Sequence, residues 1–404
     1  MSVIRLGVIG YGARARHMAQ LMCCQATDVR LAAIADPRAE AIRREMREEG
    51  KEAEAIHFYE SADEMLEQEP LEGVIVGTRC SLHATMALKV IARGLPLFLE
   101  KPVATNMADL LALRAADPRK VVVSFPLRVS LLGRLAKEII ESGRIGTVEH
   151  VQAWCNVSYS SVYFQSWYRD ENETQGLFLQ KATHDFDCIN FLLEGNRPQT
   201  ICAMTSKQVF KGMHPAGLKC MDCAERTTCH ESPYHLSRSA PLPLDMPAKE
   251  MCAFAVDTGN EDSGSALIQY ASGLHASYSQ NFFTRNQAAT RGMRFIGYHG
   301  TLEFDWYTSK LRVFPHHGSH TETHEVDKTQ AHGGGDTVLA AHFTEVIRGE
   351  RASMSTLEDG LLSVLMCLKA KESARTHTFQ GLEFTAALAG QRAVPDALAV
   401  SARR

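Results

Sequence analysis

The fold is decided by the stretch Val3-Ile-Arg-Leu-Gly-Val-Ile-Gly10-Tyr-Gly12-Ala-Arg-Ala15. Residues 3–9 are an apolar run that predicts a buried strand. Met18, Leu21 and Met22 follow at helical spacing and predict a helix that opens at the second glycine. Strand, G-x-G-x-x-A turn and helix together match the dinucleotide-binding fingerprint.

Each small residue of this turn has a separate expected role. Gly10 allows a tight turn, Gly12 lets backbone N–H groups approach a pyrophosphate, and Ala15 lets the helix pack close to the strand. Ala13 and Arg14 begin the helix beside the pyrophosphate, so we include them with Gly10 and Gly12 among the predicted cofactor-binding residues.

Asp36 follows a second apolar strand, residues 31–35, at about the distance where an acid binds the adenosine ribose diol. A carboxylate there repels a 2'-phosphate, so we expect NAD rather than NADP as the cofactor. Arg38 partly offsets that repulsion and belongs to the same predicted site. The alternative interpretation is that Asp36 only caps the helix that follows Pro37.

Strands and helices alternate through residues 1–125, which predicts a doubly wound parallel sheet and an NAD-binding Rossmann domain. Thr78 and His83 lie after the strand at residues 73–77 and are predicted to reach the nicotinamide end of the cofactor. His83 is equally well explained as a residue of the first turn of a helix.

Glu100-Lys101-Pro102 follows the apolar run at residues 95–99. Ligands of open α/β sheets bind beyond the carboxyl ends of the strands, so Lys101 is a candidate to contact both cofactor and substrate, with Glu100 beside it. Alone, such a lysine is more often a solvated surface cation.

Residues 126–380 are predicted to form a substrate-binding and oligomerisation α/β domain, with a tail at 381–404. Hairpin signals at Ala271-Ser272-Gly273 and His299-Gly300 indicate a large, mainly antiparallel sheet.

A polar helix start, Lys181-Ala-Thr-His184-Asp-Phe-Asp187, stands out in this domain. Lys181 and His184 are three residues apart, so they share a helix face and can meet Lys101. Imidazole and ammonium groups in one pocket lower one another's pKa values toward those useful for acid/base catalysis. The alternative is that these residues only complement the helix dipole.

Cys220, Cys223 and Cys229 include the C-x2-C spacing of a zinc knuckle. They predict a possible structural zinc site with a fourth ligand from outside the trio. The candidates for that ligand are Cys202, His214, His230 and His235.

The composition narrows the other possibilities. A net charge of -4 gives no basic field for nucleic acid, and no apolar window is long enough to span a membrane. The odd count of 11 cysteines argues against a secreted disulfide framework. The first strand leaves no room for a signal peptide ahead of it, so we expect a cytoplasmic protein.

Together these motifs resemble the glucose-fructose oxidoreductase, inositol dehydrogenase and MocA (Gfo/Idh/MocA) family. The resemblance rests on the glycine turn, Asp36, Glu100-Lys101-Pro102, the helix start Thr183-His184-x-x-Asp187 and the loop His332-Gly-Gly-Gly-Asp336. It implies a Rossmann domain, a second domain on a large mixed sheet, bound NAD(P), and a dimer or tetramer that forms through the open face of that sheet.

The resemblance also implies catalytic residues. The family lysine corresponds to Lys101 and the family histidine to His184. Inositol-dehydrogenase-like members carry an aspartate four residues before that histidine, whereas this chain has Gln180 with Lys181 beside it. A subset of relatives shares the Lys-x-x-His-Asp-x-Asp pattern and a cysteine-rich insertion like residues 220–229.

The main hypothesis is therefore an NAD-dependent oxidoreductase acting on a sugar, polyol or glycoside, with Lys101, His184 and Lys181 as catalytic candidates. One alternative is an NAD-dependent glycoside hydrolase that works by transient oxidation and elimination. The other is a non-catalytic dinucleotide-binding regulator.

Overall fold

The computed structural model describes residues 3–50, 53–116, 120–236, 250–327 and 331–384. Most of the predicted tail lies outside these ranges.

The first sheet has six parallel strands: β1 (Ile4–Ile9), β2 (Val29–Ala35), β3 (His57–Tyr59), β4 (Gly73–Val76), β5 (Leu97–Leu99) and β6 (Val121–Val123). Their order is β3-β2-β1-β4-β5-β6. The order reverses direction at β1, so the carboxyl ends of β1 and β4 flank the crevice where dinucleotides bind in doubly wound sheets.

The helices of the first half are α1 (Ala13–Gln25), α2 (Ala39–Glu48), α3 (Ala62–Gln68), α4 (His83–Ala92), α5 (Met107–Ala115), α6 (Pro126–Val129) and α7 (Leu131–Glu141). Those of the second half are α8 (Ser161–Gln165), α9 (Glu171–Thr174), α10 (Thr183–Leu192), α11 (Pro233–Leu236), α12 (Gly335–Arg348) and α13 (Leu357–Thr376). A π-helical turn, Phe178–Ala182, leads directly into α10.

The second sheet has nine strands: β7 (Val148–Asn156), β8 (Pro198–Ser206), β9 (Ser263–Tyr270), β10 (His275–Asn281), β11 (Thr290–Gly297), β12 (Gly300–Asp305), β13 (Lys310–Pro315), β14 (Glu322–Glu325) and β15 (Gln380–Gly381). Their order is β14-β13-β12-β11-β7-β10-β9-β8-β15. Among the pairings of the described strands of this second sheet, only β7–β10 is parallel. The predicted class, a parallel Rossmann sheet plus a large, mainly antiparallel sheet, is confirmed.

One face of the second sheet is buried under helices, and the other is open. Alternate residues of β9 are buried and exposed, the period expected of a sheet with one covered face. The buried side joins a core with α7, α10 and α13. Met204 and Leu267 are exposed on β8 and β9.

Helix α12 returns from the second half of the chain to the first sheet. Its residues Leu339, Phe343 and Val346 share a core with α1 and with Phe98 of β5. The rings of Phe98 and Phe343 meet edge to face, with centroids 5.6 Å apart. Such a pair contributes about 0.5–1.5 kcal/mol beyond the area it buries.

Candidate active site

The glycine turn between β1 and α1 leaves open space for a cofactor. Gly10 has φ +82°, and a Cβ there would lie 2.7 Å from the backbone of Thr78, so a larger residue does not fit. A Cβ on Gly12 would meet only the carbonyl oxygen of Gly77, at 3.9 Å. Gly12 is the N-cap and Ala13 the first residue of α1, so the uncapped N–H groups of the first turn suit a pyrophosphate.

Asp36 joins the end of β2 to this turn. Its Oδ2 accepts a hydrogen bond from the backbone N–H of Tyr11 at 3.0 Å, and its Oδ1 accepts one from the N–H of Arg38 at 2.9 Å. The Arg38 side chain is exposed, with Nε 3.8 Å from Asp36. Each carboxylate oxygen keeps a lone pair, so the local capping bonds do not exclude a ribose diol.

Arg14 faces the protein rather than solvent. Its guanidinium donates two hydrogen bonds of 2.7 Å to Asp336 of α12, one of 2.9 Å to Glu100 and one of 3.0 Å to Ser124. Burial alone would raise the pKa of Asp336, but hydrogen bonds from His332 and Arg14 outweigh it and lower that pKa. This network fixes the ends of β5 and β6 against the first turn of α1.

His83 braces the turns near the cofactor crevice. It is the first residue of α4, and its Nδ1 and Nε2 lie 2.8 Å and 3.1 Å from the backbone oxygens of Pro102 and Thr78. Both ring nitrogens are therefore engaged with the backbone. The geometry supports the helix-start interpretation and gives no free nitrogen for a direct nicotinamide contact.

Lys101 crosses from the first sheet to the second domain. Its Nζ donates to the backbone oxygen of Gln180 at 3.0 Å. Burial lowers the pKa of Lys101 to about 8, and the positive charge of Lys181 also acts to lower it. The structure thus brings together the predicted lysine and the π-helical turn that precedes His184.

His184 lies in the first turn of α10, with its ring 5.9 Å from that of Phe125. Its Nδ1 is buried and has no hydrogen-bond partner. Burial lowers the pKa of His184 well below its usual value, and the charge of Lys101 adds to this effect. The imidazole is therefore neutral at neutral pH and able to accept a proton.

Lys181 points to the same region. Its Nζ hydrogen-bonds the hydroxyl of Tyr159 and lies 4.8 Å from the centre of that ring. Burial lowers the pKa of Lys181, and the charge of Arg291 contributes. The predicted cluster of Lys101, Lys181 and His184 is assembled by the fold, but its catalytic role remains a prediction.

Gln180 has a structural role in this geometry. Its side-chain nitrogen donates to the backbone oxygen of Thr174 at 3.0 Å, and its Oε1 accepts from the Cys80 thiol at 3.6 Å. The residue is 1% exposed. Its side chain fixes the π-helical turn whose backbone oxygen receives Lys101.

Sequence reasoning named the loop of His332 but missed Arg291 and Trp306, which line a cavity. This space of about 320 Å³ is lined in part by Tyr159, Arg291, Trp306 and His332. Of these residues, Tyr159 lies in a stretch with a local sequence signal, because the regular alternation of strands and helices stops there. Arg291 comes from β11, and the register of β11 against β7 brings it to Cys155, beyond the range of a motif.

The acidic residues after His184 have buried partners. Asp185 accepts hydrogen bonds from the hydroxyl of Tyr278 and from Nε of Arg291, at 2.9 Å and 2.8 Å. Asp187 forms a two-contact ion pair with Arg128, a residue that also reaches Asp359. Both carboxylates anchor α10 rather than serve only the helix dipole.

The predicted zinc site is not supported. Within the described ranges no three His, Cys, Asp or Glu side chains are placed to hold a metal ion. Cys220, Cys223 and Cys229 do line one small cavity together with Cys252, a partner the sequence analysis did not consider. Burial raises the pKa of Cys220 to about 11, so its sulfur is a neutral thiol.

Two family models match the chain. Residues 4–125 match an oxidoreductase family with an NAD-binding Rossmann fold, and residues 134–303 match the GFO/IDH/MocA C-terminal domain.

Individual oxidoreductases are also similar to this chain in sequence. YteT of Bacillus subtilis strain 168, a presumed oxidoreductase, is 27% identical over 327 residues, which cover 71% of this chain and 75% of YteT. The scyllo-inositol 2-dehydrogenase (NAD(+)) of the same strain is 24% identical over 207 residues, 47% of this chain and 54% of that protein. The chain thus spans about half the length of that dehydrogenase.

A levoglucosan dehydrogenase solved with NADH and levoglucosan shares the fold. The TM-score is 0.73 at 18% identity, over 94% of this chain and 100% of the other.

Within the described ranges, no helix combines the length and apolar character needed to cross a membrane.

Proposed function

The chain belongs to the GFO/IDH/MocA family of NAD-binding oxidoreductases, and from this we propose that it transfers a hydride between NAD and a hydroxyl-bearing carbon of a sugar, polyol or glycoside. The observation that carries the proposal is the convergence of Lys101 and His184, from different domains, on one region. The dehydrogenase and levoglucosan relatives support the choice of substrate class.

NAD bound at the glycine turn would supply the hydride acceptor. Gly10, Gly12 and Ala13 form the pyrophosphate cradle, and Asp36 meets the adenosine ribose. A 2'-phosphate would meet the carboxylate of Asp36, so NAD is preferred to NADP.

His184 and Lys101 divide the proton chemistry. The neutral imidazole accepts the hydroxyl proton as the C–H bond yields its hydride, which leaves a carbonyl group on the substrate. The Lys101 ammonium donates a hydrogen bond to the oxygen that becomes this carbonyl. Lys181 and Tyr159 orient a neighbouring hydroxyl.

A panel of sugars and polyols with NAD, followed by the absorbance of reduced nicotinamide, tests the function. Turnover by the unmodified protein and its loss in His184→Asn are expected. His320→Asn, at an exposed histidine, is the matched control and should keep full activity. If no member of the panel reduces NAD, the proposal fails.

We further propose that the protein is a homodimer or homotetramer that associates through the open face of the second sheet. The exposed Met204 and Leu267 on that face support this. Light scattering should give an oligomer for the unmodified protein and a smaller species for Leu267→Lys. An unmodified protein that is monomeric at high concentration would refute it.

A further inference from the structure

Arg291 lines the cavity, acts electrostatically on His184, and has an incomplete set of hydrogen-bond partners. The residue is 7% exposed, and its Nε donates to Asp185 at 2.8 Å. Its NH2 nitrogen is buried and has no hydrogen-bond partner. A buried charged donor without an acceptor destabilises the protein, and a ligand that supplies the acceptor removes that cost.

Charged groups of both signs act on this region. The groups that lower the pKa of His184 besides burial are Lys101, Arg291, Lys181 and His332, all of them basic. Among the acidic groups, Asp305 accepts a hydrogen bond of 3.0 Å from the backbone N–H of Arg291. Asp185 is already shared between Arg291 and Tyr278.

Asp327 also lines the cavity and opposes the positive charges. The basic groups of this region are Lys101, Lys181, Arg291 and His332, and the acidic ones include Glu100, Asp185, Asp305, Asp327 and Asp336. Arg291 is the planar donor of this lining, and its guanidinium is the group that best matches a carboxylate.

The rest of the lining suits a sugar ring. Trp306 presents an aromatic wall and is held by a hydrogen bond of 3.3 Å from its indole nitrogen to Ser130. Tyr159 and Tyr307 add hydroxyl groups to the same lining. The volume of about 320 Å³ is within the range of small-molecule sites.

We infer that the substrate is an acidic sugar, such as a uronic or aldonic acid, whose carboxylate is bound by Arg291 with Lys181 beside it. This inference rests on the proposed oxidoreductase function and names the class of its substrate. The acid group anchors one end of the ring, and a hydroxyl at the other end reaches His184 and Lys101.

The test compares matched acidic and neutral compounds with NAD: D-galacturonate with D-galactose, and D-gluconate with sorbitol. We expect kcat/KM for at least one acid to exceed that of its neutral counterpart by about tenfold or more, the effect of a charge-assisted hydrogen bond. Equal or greater kcat/KM for the neutral compounds would overturn the acidic substrate while the oxidoreductase function stands.

Arg291→Gln tests the named residue, because glutamine can still donate to Asp185 but carries no charge. The variant should raise KM for the acid by about tenfold and change the neutral compound's KM much less. Arg285→Gln is the control, since Arg285 pairs with Glu231 outside the cavity lining. Unchanged KM for the acid in Arg291→Gln would refute the assignment.

Calorimetry on the NAD-loaded protein distinguishes failure of the proposed oxidoreductase function from failure of the inferred substrate class. If no compound is oxidised, the proposed function fails, and binding then decides the substrate class. Binding of the acid but not its neutral counterpart supports the inference, whereas equal binding or no binding of the acid overturns it. The melting temperature of Arg291→Gln shows whether that variant is folded.

Discussion

Arg14 of α1 and Asp336 of α12 are joined by two hydrogen bonds of 2.7 Å, although 322 residues separate them in the chain. The pair ties the helix that opens the cofactor site to the loop that carries His332. One arginine therefore connects the packing of α12 to the predicted cofactor site.

Arg14→Leu should destabilise the protein by about 3 kcal/mol, because it leaves the buried carboxylates of Asp336 and Glu100 without their guanidinium partner. Arg16→Leu on the same helix is the control. Its partners Glu45 and Glu49 are exposed, so the loss should be below about 1 kcal/mol. Urea unfolding of both variants measures the difference, and equal losses would contradict the buried network.

The pH dependence of the reaction should follow Lys101. Its pKa of about 8 lies below the ordinary lysine value, so the ammonium form is present below pH 8 and is lost as pH rises through it. Because the proposed role of Lys101 needs its proton, kcat/KM, which reports the pKa values of the free enzyme, should fall above about pH 8. His184 has its pKa lowered well below the usual value, so the acidic limb should lie below the range of a free histidine.

Lys101→Arg provides the check on that assignment. The arginine keeps its proton at high pH, so any residual activity should no longer fall near pH 8. A basic limb that stays in place in Lys101→Arg would show that another group causes it.

His184→Ala should lower turnover by about two to four orders of magnitude, because the proton acceptor is removed. NAD affinity should change little, since the predicted pyrophosphate and ribose contacts lie in the first domain. Steady-state kinetics and calorimetry measure the two quantities separately. An active alanine variant would remove His184 from the mechanism.

NAD should bind at least about tenfold more tightly than NADP, a difference of roughly 1.4 kcal/mol, because Asp36 repels a 2'-phosphate. Asp36→Ser should narrow the gap, as the repulsion goes and Arg38 remains nearby. Asp36→Asn is a useful companion variant, since it removes the charge and keeps an acceptor for the N–H of Tyr11. Equal affinities in the unmodified protein would refute the NAD preference.

The cofactor half of the site could be predicted because its information is local. Gly10, Gly12 and Ala15 lie close together in the sequence, where β1 leads into α1. Asp36 directly follows the adjacent strand, β2. The same is true of Lys101 and His184, each of which stands in a motif. Gln180 is different: the departure from aspartate is visible in the sequence, but its bonds to Thr174 and Cys80 depend on a π-helical turn that no pattern signals.

The surroundings of Arg291, the proposed substrate side of the site, could not be predicted because strand register decides them. Arg291 reaches Asp185 only when β11 pairs with β7 in the observed alignment. Cys252 lines the same cavity as Cys220, Cys223 and Cys229, although it is distant from them in the sequence. An amphipathic helix such as α12 also carries no sign of which sheet it will cover.

The return of α12 matters for anyone who would exchange cofactor modules between relatives. A graft limited to residues 1–125 would leave Phe98 without Phe343 and Arg14 without Asp336. The transplantable unit is therefore discontinuous, and a working chimera has to carry residues 335–348 from the same parent as the glycine turn.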